Sequence, residues 1–350
     1  MQISSKQQKI ILLLIEKGIL RSSIIHGELG KAGEKVSLVT VKRQLSELTG
    51  KGFLKTVGSG RSTAHEVGTM GRLFADIDAH KYCAAEPDRR FGLKQHNFDL
   101  FAGIPAEVFS DAEKKILDDA TAEYARRTKD LPPIIQKKEL ERLIIELSWK
   151  SSKIEGNTYT LLDTEKLILE NKEAAGHDKG EARMILNHKD AFTFIREHIT
   201  EFQTLTPANL EQLHAILVEN LNIGESLRKK PVGVTGSIYR PLDNIYQIQE
   251  AVSSLAKAIS RMETPCAKAM IAVLGISYLQ PFEDGNKRTA RLMANSLLLA
   301  HGCAPLSYRS VEEDEYREAM LVFYEINSLV PFKKIFIEQY EFAAKNYAVT

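Results

Sequence analysis

The sequence predicts a mainly α-helical chain with one small β-containing head. Three observations lead there. From residue 137 to the C-terminus, apolar residues recur at helical spacing almost without interruption. The first 68 residues hold three apolar-periodic segments followed by two short alternating ones. Residues 280–291, Gln-Pro-Phe-Glu-Asp-Gly-Asn-Lys-Arg-Thr-Ala-Arg, join two apolar runs, 269–279 and 292–300. They read as a loop that ends one helix and starts the next.

The head comes first. Residues 6–17 form an apolar-rich helix and 22–29 a shorter one. Ser37 is placed to cap a third, which carries Leu38, Val41, Leu45 and Leu48 on one face. Its other face shows Thr40, Lys42, Arg43, Gln44 and Glu47, and Gly50 and Gly52 end it. Residues 53–57 and 64–67 alternate around Gly58-Ser59-Gly60-Arg61-Ser62, the pattern of a β-hairpin with a basic tip. Three helices and a hairpin make a winged helix, and the head resembles bacterial winged-helix transcription regulators. That resemblance implies DNA as a partner, with Lys42, Arg43 and Gln44 in a major groove and Arg61 on phosphate or in the minor groove. A protein-binding module that kept the fold is the alternative. The expected domain is 1–68.

Residues 69–136 read as a connector with a helical part, in which Ser110 caps a helix running to about 129 and Pro132-Pro133 breaks the chain. Residues 137–350 form the main helical domain, with loops at 176–180, 204–207, 302–308 and 330–331. Within it, 232–246 carries Gly233, Gly236 and Pro241 with β-branched Val234, Thr235 and Ile238, which predicts a short hairpin.

Bulk composition narrows the class. At 350 residues, 43% hydrophobic and 27% charged, this is an ordinary globular chain. Cys83, Cys266 and Cys303 are odd in number and far apart, which points to a reducing cytoplasm rather than a disulfide framework. No secretory signal is expected at the N-terminus, and the apolar run 10–15 is too short to span a bilayer, so no membrane partner is expected. The net charge of +1 hides an asymmetry. Residues 1–68 hold 11 Lys/Arg against 5 Asp/Glu, hence +6, which leaves −5 for the rest. A basic head on a mildly acidic body fits a polyanionic partner.

The loop 280–291 carries the chemistry. Gly285 lets the backbone approach a ligand closely. Asn286, Lys287 and Arg288 open a helix, where free N–H groups and the helix dipole attract anions. Lys287, Arg288 and Arg291 add three cations within five residues, and Arg288 and Arg291 are spaced to grip two phosphates of one chain. Asp284, just before the helix, suits a Mg²⁺ bridging those phosphates.

This loop resembles the signature of the Fic family, His-x-Phe-x-(Asp/Glu)-Gly-Asn-x-Arg-x-x-Arg. Upstream, Ser151-Ser152-Lys153-Ile154-Glu155-Gly156-Asn157 matches the family's inhibitory motif, (Ser/Thr)-x-x-x-Glu-(Gly/Asn). The match runs over roughly 141–338. It implies a mainly α Fic helical bundle with a β-hairpin flap and an N-terminal inhibitory helix. The activity implied is AMP transfer from ATP, with Mg²⁺, to a Ser, Thr or Tyr hydroxyl of a target protein. The inhibitory residues would be Ser151, Glu155 and Gly156, with Glu155 pairing with Arg291 in place of the ATP γ-phosphate. Asp284, Gly285, Asn286, Lys287, Arg288 and Arg291 map onto the metal and phosphate contacts. The flap after Gly224-Glu225-Ser226-Leu227-Arg228, including Val234, Thr235, Gly236 and Tyr239, would dock the target by strand addition. Homodimerisation is a further expectation.

Two positions depart from the pattern. The family's catalytic histidine is Gln280 here. An amide has no titrating proton near neutrality, so it positions a hydroxyl without accepting its proton. The activity expected is therefore impaired or absent, and the alternative is a nucleotide-sensing transcription regulator. His188, His198, His214 and His301 are isolated and read as core or surface residues, not as substitutes. Lys287 stands where the best-known AMP transferases have Gly; lysine there is shared with many winged-helix Fic proteins and with the Doc phosphotransferases, so γ-phosphoryl transfer is a second alternative.

Overall fold

The computed structural model describes residues 3–349. They fold as two compact units. One combines the chain up to Ile104 with 233–240 and 314–333; the other takes 105–232, 241–313 and the chain from Lys334 onward. The expected boundaries at 68 and 136 do not coincide with this division.

In the first unit, α1 (Ser5–Lys17), α2 (Ser22–Lys31) and α3 (Leu38–Gly50) precede β1 (Leu54–Val57) and β2 (Ala64–Val67). Ser4 and Gln7 cap α1 reciprocally, and Ser37 Oγ accepts the Thr40 N–H at 3.2 Å to start α3. The strands are antiparallel, with Leu54 opposite Val67 and Val57 opposite Ala64. Ile10, Ile11, Leu14, Ile25, Val41, Leu45, Leu48 and Phe53 form the core, of which Val41, Leu45 and Leu48 are on the face read from the sequence. That core does not end at the hairpin. It continues through Ala75, Ile77 and Tyr82 and takes in Val322 and Ile326. Three short helices follow β2: α4 (Thr69–Leu73), α5 (Ala79–Cys83) and α6 (Leu100–Gly103).

The second unit is helical: α7 (Asp111–Thr128), α8 (Pro133–Ile154), α9 (Leu161–Glu170), α10 (Lys179–Glu197), α11 (Pro207–Val218), α12 (Ile245–Ser260), α13 (Pro265–Leu279) and α14 (Asn286–Ala300). Starts are strongly specified. Ser110 with Glu113, Thr160 with Asp163 and Thr206 with Asn209 make capping boxes, and α8, α11 and α13 carry Pro in the first turn. α13 is apolar on every side and buried from Ala269 to Leu279, as a helix at the centre of a bundle must be. α14 packs against α13 and also meets α8, α10 and α11. Then come α15 (Glu313–Ile326), largely in the first unit, and α16 (Val330–Asn346). No described helix is long and apolar enough to cross a membrane.

One expectation is corrected. No strand pairing occurs over 232–246, and β1–β2 is the sheet found among the described residues. Residues 233–240 form an irregular loop with a turn in which the Ser237 N–H reaches Val234 O at 3.1 Å, while 245–246 already begin α12. The cause is competition for backbone and side-chain donors. The carboxylate of Glu325, fully buried, accepts the Ile238 N–H at 3.2 Å and the Ser237 hydroxyl at 2.7 Å, and the Arg240 N–H goes to Lys94 O at 3.0 Å. Arg90 closes the arrangement, donating to Glu325 at 3.1 Å and to Gly236 O at 3.0 Å. Tyr239 is buried and stacked near Tyr324, so its ring is unavailable as an exposed docking residue.

Candidate anion-binding site

The motif loop is built by the ends of two buried helices. Gln280 caps α13 in the left-handed conformation (φ 48°), and both polar atoms of its side chain are hydrogen-bonded. Its Nε2 donates to Ser277 O at 2.7 Å, and its Oε1 accepts from Asn286 Nδ2 at 3.1 Å. Asn286 also ties the loop to itself: its Oδ1 accepts the Phe282 N–H at 2.8 Å and its Nδ2 donates to Phe282 O at 2.9 Å. Gly285 caps α14 with φ 76°, a conformation costly for any residue with a Cβ, and a Cβ there would meet Val218 at 3.3 Å.

The cations stand on the first turns of α14. Arg288 is buried. Its Nη2 lies 3.6 Å from the exposed carboxylate of Asp284, and its buried Nη1 makes no hydrogen bond among the described residues. Burial pulls the Arg288 guanidinium below its ordinary pKa, with Asp284 and Glu155 opposing. A buried donor left open at a helix N-terminus is what an absent anion would satisfy.

Arg291 is fully buried and reaches α8. Its Nε donates to Ser151 Oγ at 2.9 Å, and its Nη2 to Ser151 O at 2.7 Å and to Glu155 Oε1 at 2.9 Å. The other Glu155 oxygen accepts from Lys287 Nζ at 3.1 Å, a contact that the sequence reading did not foresee. Burial alone would raise the Glu155 carboxyl, but Arg291 and Lys287 outweigh it and hold its pKa below the ordinary value. Gly156, with φ 98°, ends the helix just after this carboxylate. Glu155 is thus bonded by two of the three motif cations, and the third, Arg288, pairs with Asp284.

His214, set aside on sequence grounds, proves to belong to the loop. Its ring stacks on Phe282 at 3.6 Å and 2°, with Nε2 2.9 Å from Asp284 O and Nδ1 3.0 Å from Glu225 O. Burial lowers its pKa. His188 is fully buried; burial first, then Arg291 and Arg288, drop its pKa to about 3. Neither histidine hydrogen-bonds to Gln280. Arg228, named in the sequence only as part of the run leading into the flap, also belongs to the loop: buried, it bonds the carbonyls of Gln280, Lys230 and Leu242.

Of the residues expected elsewhere, Lys42 and Arg43 are exposed on α3 and Arg61 is exposed between β1 and β2. Gln44 is not on that exposed face. It is half-buried, with its Oε1 turned into a small hollow shared with Lys6, Lys9 and Ile10 and lacking a hydrogen bond among the described residues. Val234 is half-buried, whereas Thr235 and Gly236 are exposed.

Comparison with known proteins gives a consistent answer. The Fic/DOC family model matches residues 204–298. The protein adenylyltransferase Fic of Drosophila melanogaster is 28% identical over 166 residues, 47% of this chain and 34% of that protein. Its Drosophila ananassae counterpart is 27% identical over the same length, covering 33% of that protein. The matched region thus spans about a third of these curated relatives. Among solved structures, Fic-1 of C. elegans (residues 134–508) has a TM-score of 0.59 at 18% identity, over 67% of this chain and 72% of that one. A Fic family protein of Desulfovibrio desulfuricans G20 has a TM-score of 0.57 at 20% identity, over 69% and 75%. At such identities these neighbours speak for the fold. The motif, the helical scaffold and the family model agree that residues 204–298 form a Fic/DOC domain.

Proposed function

We propose that the chain is a Fic-type AMP-transfer scaffold that binds ATP·Mg at 284–291, is held inhibited by Glu155, and is slowed at the chemical step by Gln280. The observation that carries this reading is the Glu155 carboxylate, bonded through one oxygen to Arg291 Nη2 at 2.9 Å and through the other to Lys287 Nζ at 3.1 Å. A distal phosphate would compete for those same two cations. Arg288, with its open buried Nη1, and the Gly285–Asn286 turn would hold a second phosphate. Asp284, exposed at the loop, would hold the Mg²⁺, which neutralises charge on bridged phosphate oxygens. Gln280 would orient the acceptor hydroxyl and cannot take its proton. A general base is worth ~10² to 10⁴ in rate, or about 3 to 5 kcal/mol of barrier. A target protein would dock at the exposed Thr235–Gly236 turn of the 233–240 loop.

The test is protein labelling with α-³²P-ATP against γ-³²P-ATP, on this chain, on Glu155→Gly, and on Glu155→Gly with Gln280→His. Label from the α position once the histidine is restored is the expected result. Label from the γ position instead would assign phosphotransfer, with Lys287 as the distinguishing cation. No label from either in the double variant would sink the reading.

A second reading concerns the head. The exposed Lys42 and Arg43 on α3, with Arg61 exposed beyond β1, favour a winged-helix DNA-binding role. Arg43→Ala and Arg61→Ala should each weaken salt-dependent DNA binding and flatten its salt slope. Binding indifferent to both changes would exclude these contacts.

A further inference from the structure

An anion-binding loop works only if its peptide planes point the right way. Each trans peptide is planar, so fixing a carbonyl fixes the direction of the next N–H. Four contacts from outside the loop do this here. The backbone N–H of Arg228 donates to Pro281 O at 3.0 Å, a bond that any residue at 228 keeps, and its side-chain Nε donates to Gln280 O at 2.6 Å, which fixes the Gln280–Pro281 plane. His214 meets Asp284 O at 2.9 Å and stacks on Phe282 at 3.6 Å. The Pro281 plane thereby aims the Phe282 N–H at Asn286 Oδ1, and the Asp284 plane aims the Gly285 N–H at Asp284 Oδ1, 2.6 Å away.

Arg228 does more than brace the loop. Its Nη1 donates to Lys230 O at 2.9 Å and its Nη2 to Leu242 O. These carbonyls flank the 232–241 segment, so one buried guanidinium ties both roots of that segment to the start of the motif loop. The other His214 nitrogen, Nδ1, lies 3.0 Å from Glu225 O, three residues before Arg228; a neutral ring donates to one of the two carbonyls and only the imidazolium to both.

We infer that Arg228 and His214 are positioning residues for the anion-binding loop. The Arg228 side chain fixes the plane on which the loop begins and His214 the plane between Asp284 and Gly285, and neither needs to touch the ligand. This rests on the proposed nucleotide site. Lysine cannot replace Arg228, because a point charge on a flexible stem does not meet three carbonyls in fixed fork directions. His214→Phe would keep the stack on Phe282 and lose the contact with Asp284.

The test uses the full chain in the Glu155→Gly background, with Arg228→Lys and His214→Phe added singly. ATP·Mg binding is measured by calorimetry and amide exchange is followed at Phe282 and Gly285. The expected result is binding weakened about tenfold or more. Exchange should quicken at Phe282 in Arg228→Lys, because the lost bond to Gln280 O releases the plane just before Pro281, and at Gly285 in His214→Phe, while far-UV circular dichroism stays native. Two folded variants with unchanged affinity and unchanged local exchange would overturn the inference, even if both melted earlier. If the Glu155→Gly parent itself binds no nucleotide, the proposed function fails, and the exchange readout alone decides the positioning role. If one variant does not fold, the other decides.

Discussion

Glu155→Gln keeps the shape of the side chain and removes the charge facing Arg291 and Lys287. Arg291 is 0% exposed and Glu155 18%, so water screens this pair poorly. Removing one partner of a buried pair costs 3–5 kcal/mol in general. Lys287 is about a third exposed and can turn to solvent, which leaves Arg291 as the stranded charge and places the loss near about 3 kcal/mol. For a unit of this size that is a fall of roughly 6–12 °C in Tm. The Glu155 pKa lies below 4.5, so its stabilisation is fully present above that value and is lost only as pH falls through the lowered one. Neutral buffer therefore reads the whole effect. ATP·Mg should restore the variant, since a ligand at 100 times its Kd returns about 2.7 kcal/mol. Differential scanning fluorimetry of parent and variant, each with and without ATP·Mg, checks this. A lower melt that nucleotide rescues, beside a parent that barely responds, is the expected pattern. Equal nucleotide shifts in both proteins would refute competition between Glu155 and phosphate.

Three other outcomes follow from the geometry. His188 stays neutral in the folded state down to about pH 3, whereas in the unfolded chain it takes a proton below 6.5; stability is therefore full above 6.5 and falls with pH. At pH 5 the loss is about 2 kcal/mol, and comparison of urea unfolding at pH 7 and 5 should show that share vanish in His188→Gln. Glu325→Gln should destabilise the first unit by about 3 kcal/mol, because Arg90 is only 5% exposed and loses its counter-charge, and limited proteolysis should reach 232–241 sooner; an unchanged cleavage rate would contradict the bracing role. Gly285→Ala should cost about 1–2 kcal/mol in urea unfolding, the penalty of a left-handed backbone with a Cβ.

Local signals were legible in the sequence because they act over a few residues. Ser37, Ser110 and the Pro132-Pro133 break set element ends through bonds within one turn, and the structure has them. The Glu155–Arg291 pair was readable because a family pattern bridges their sequence separation of 136. What was hidden acts at long range. The β-branched, glycine-rich stretch 232–246 has the local character of a hairpin, but Glu325, 87 residues beyond Ile238, takes its donors. His214 and Arg228 bond loop carbonyls, and every residue offers a carbonyl, so no side-chain pattern marks the partner. Gln44 follows the helical period of α3 but sits at the margin of the buried stripe, where one side-chain rotation decides between solvent and interior.

The head core recruits Val322 and Ile326, and this matters while the chain is being made. A ribosome releases the first hundred residues long before it reaches position 326. At about 5–20 residues per second, the interval is roughly 10–45 s. Throughout it the nascent head exposes the apolar side that those two residues will cover. A chain cut before position 320 lacks both residues and leaves that side of the head core uncovered. Any regulator housed in this segment thus becomes competent only once synthesis has passed position 326, which makes translation of that distant helix itself a checkpoint.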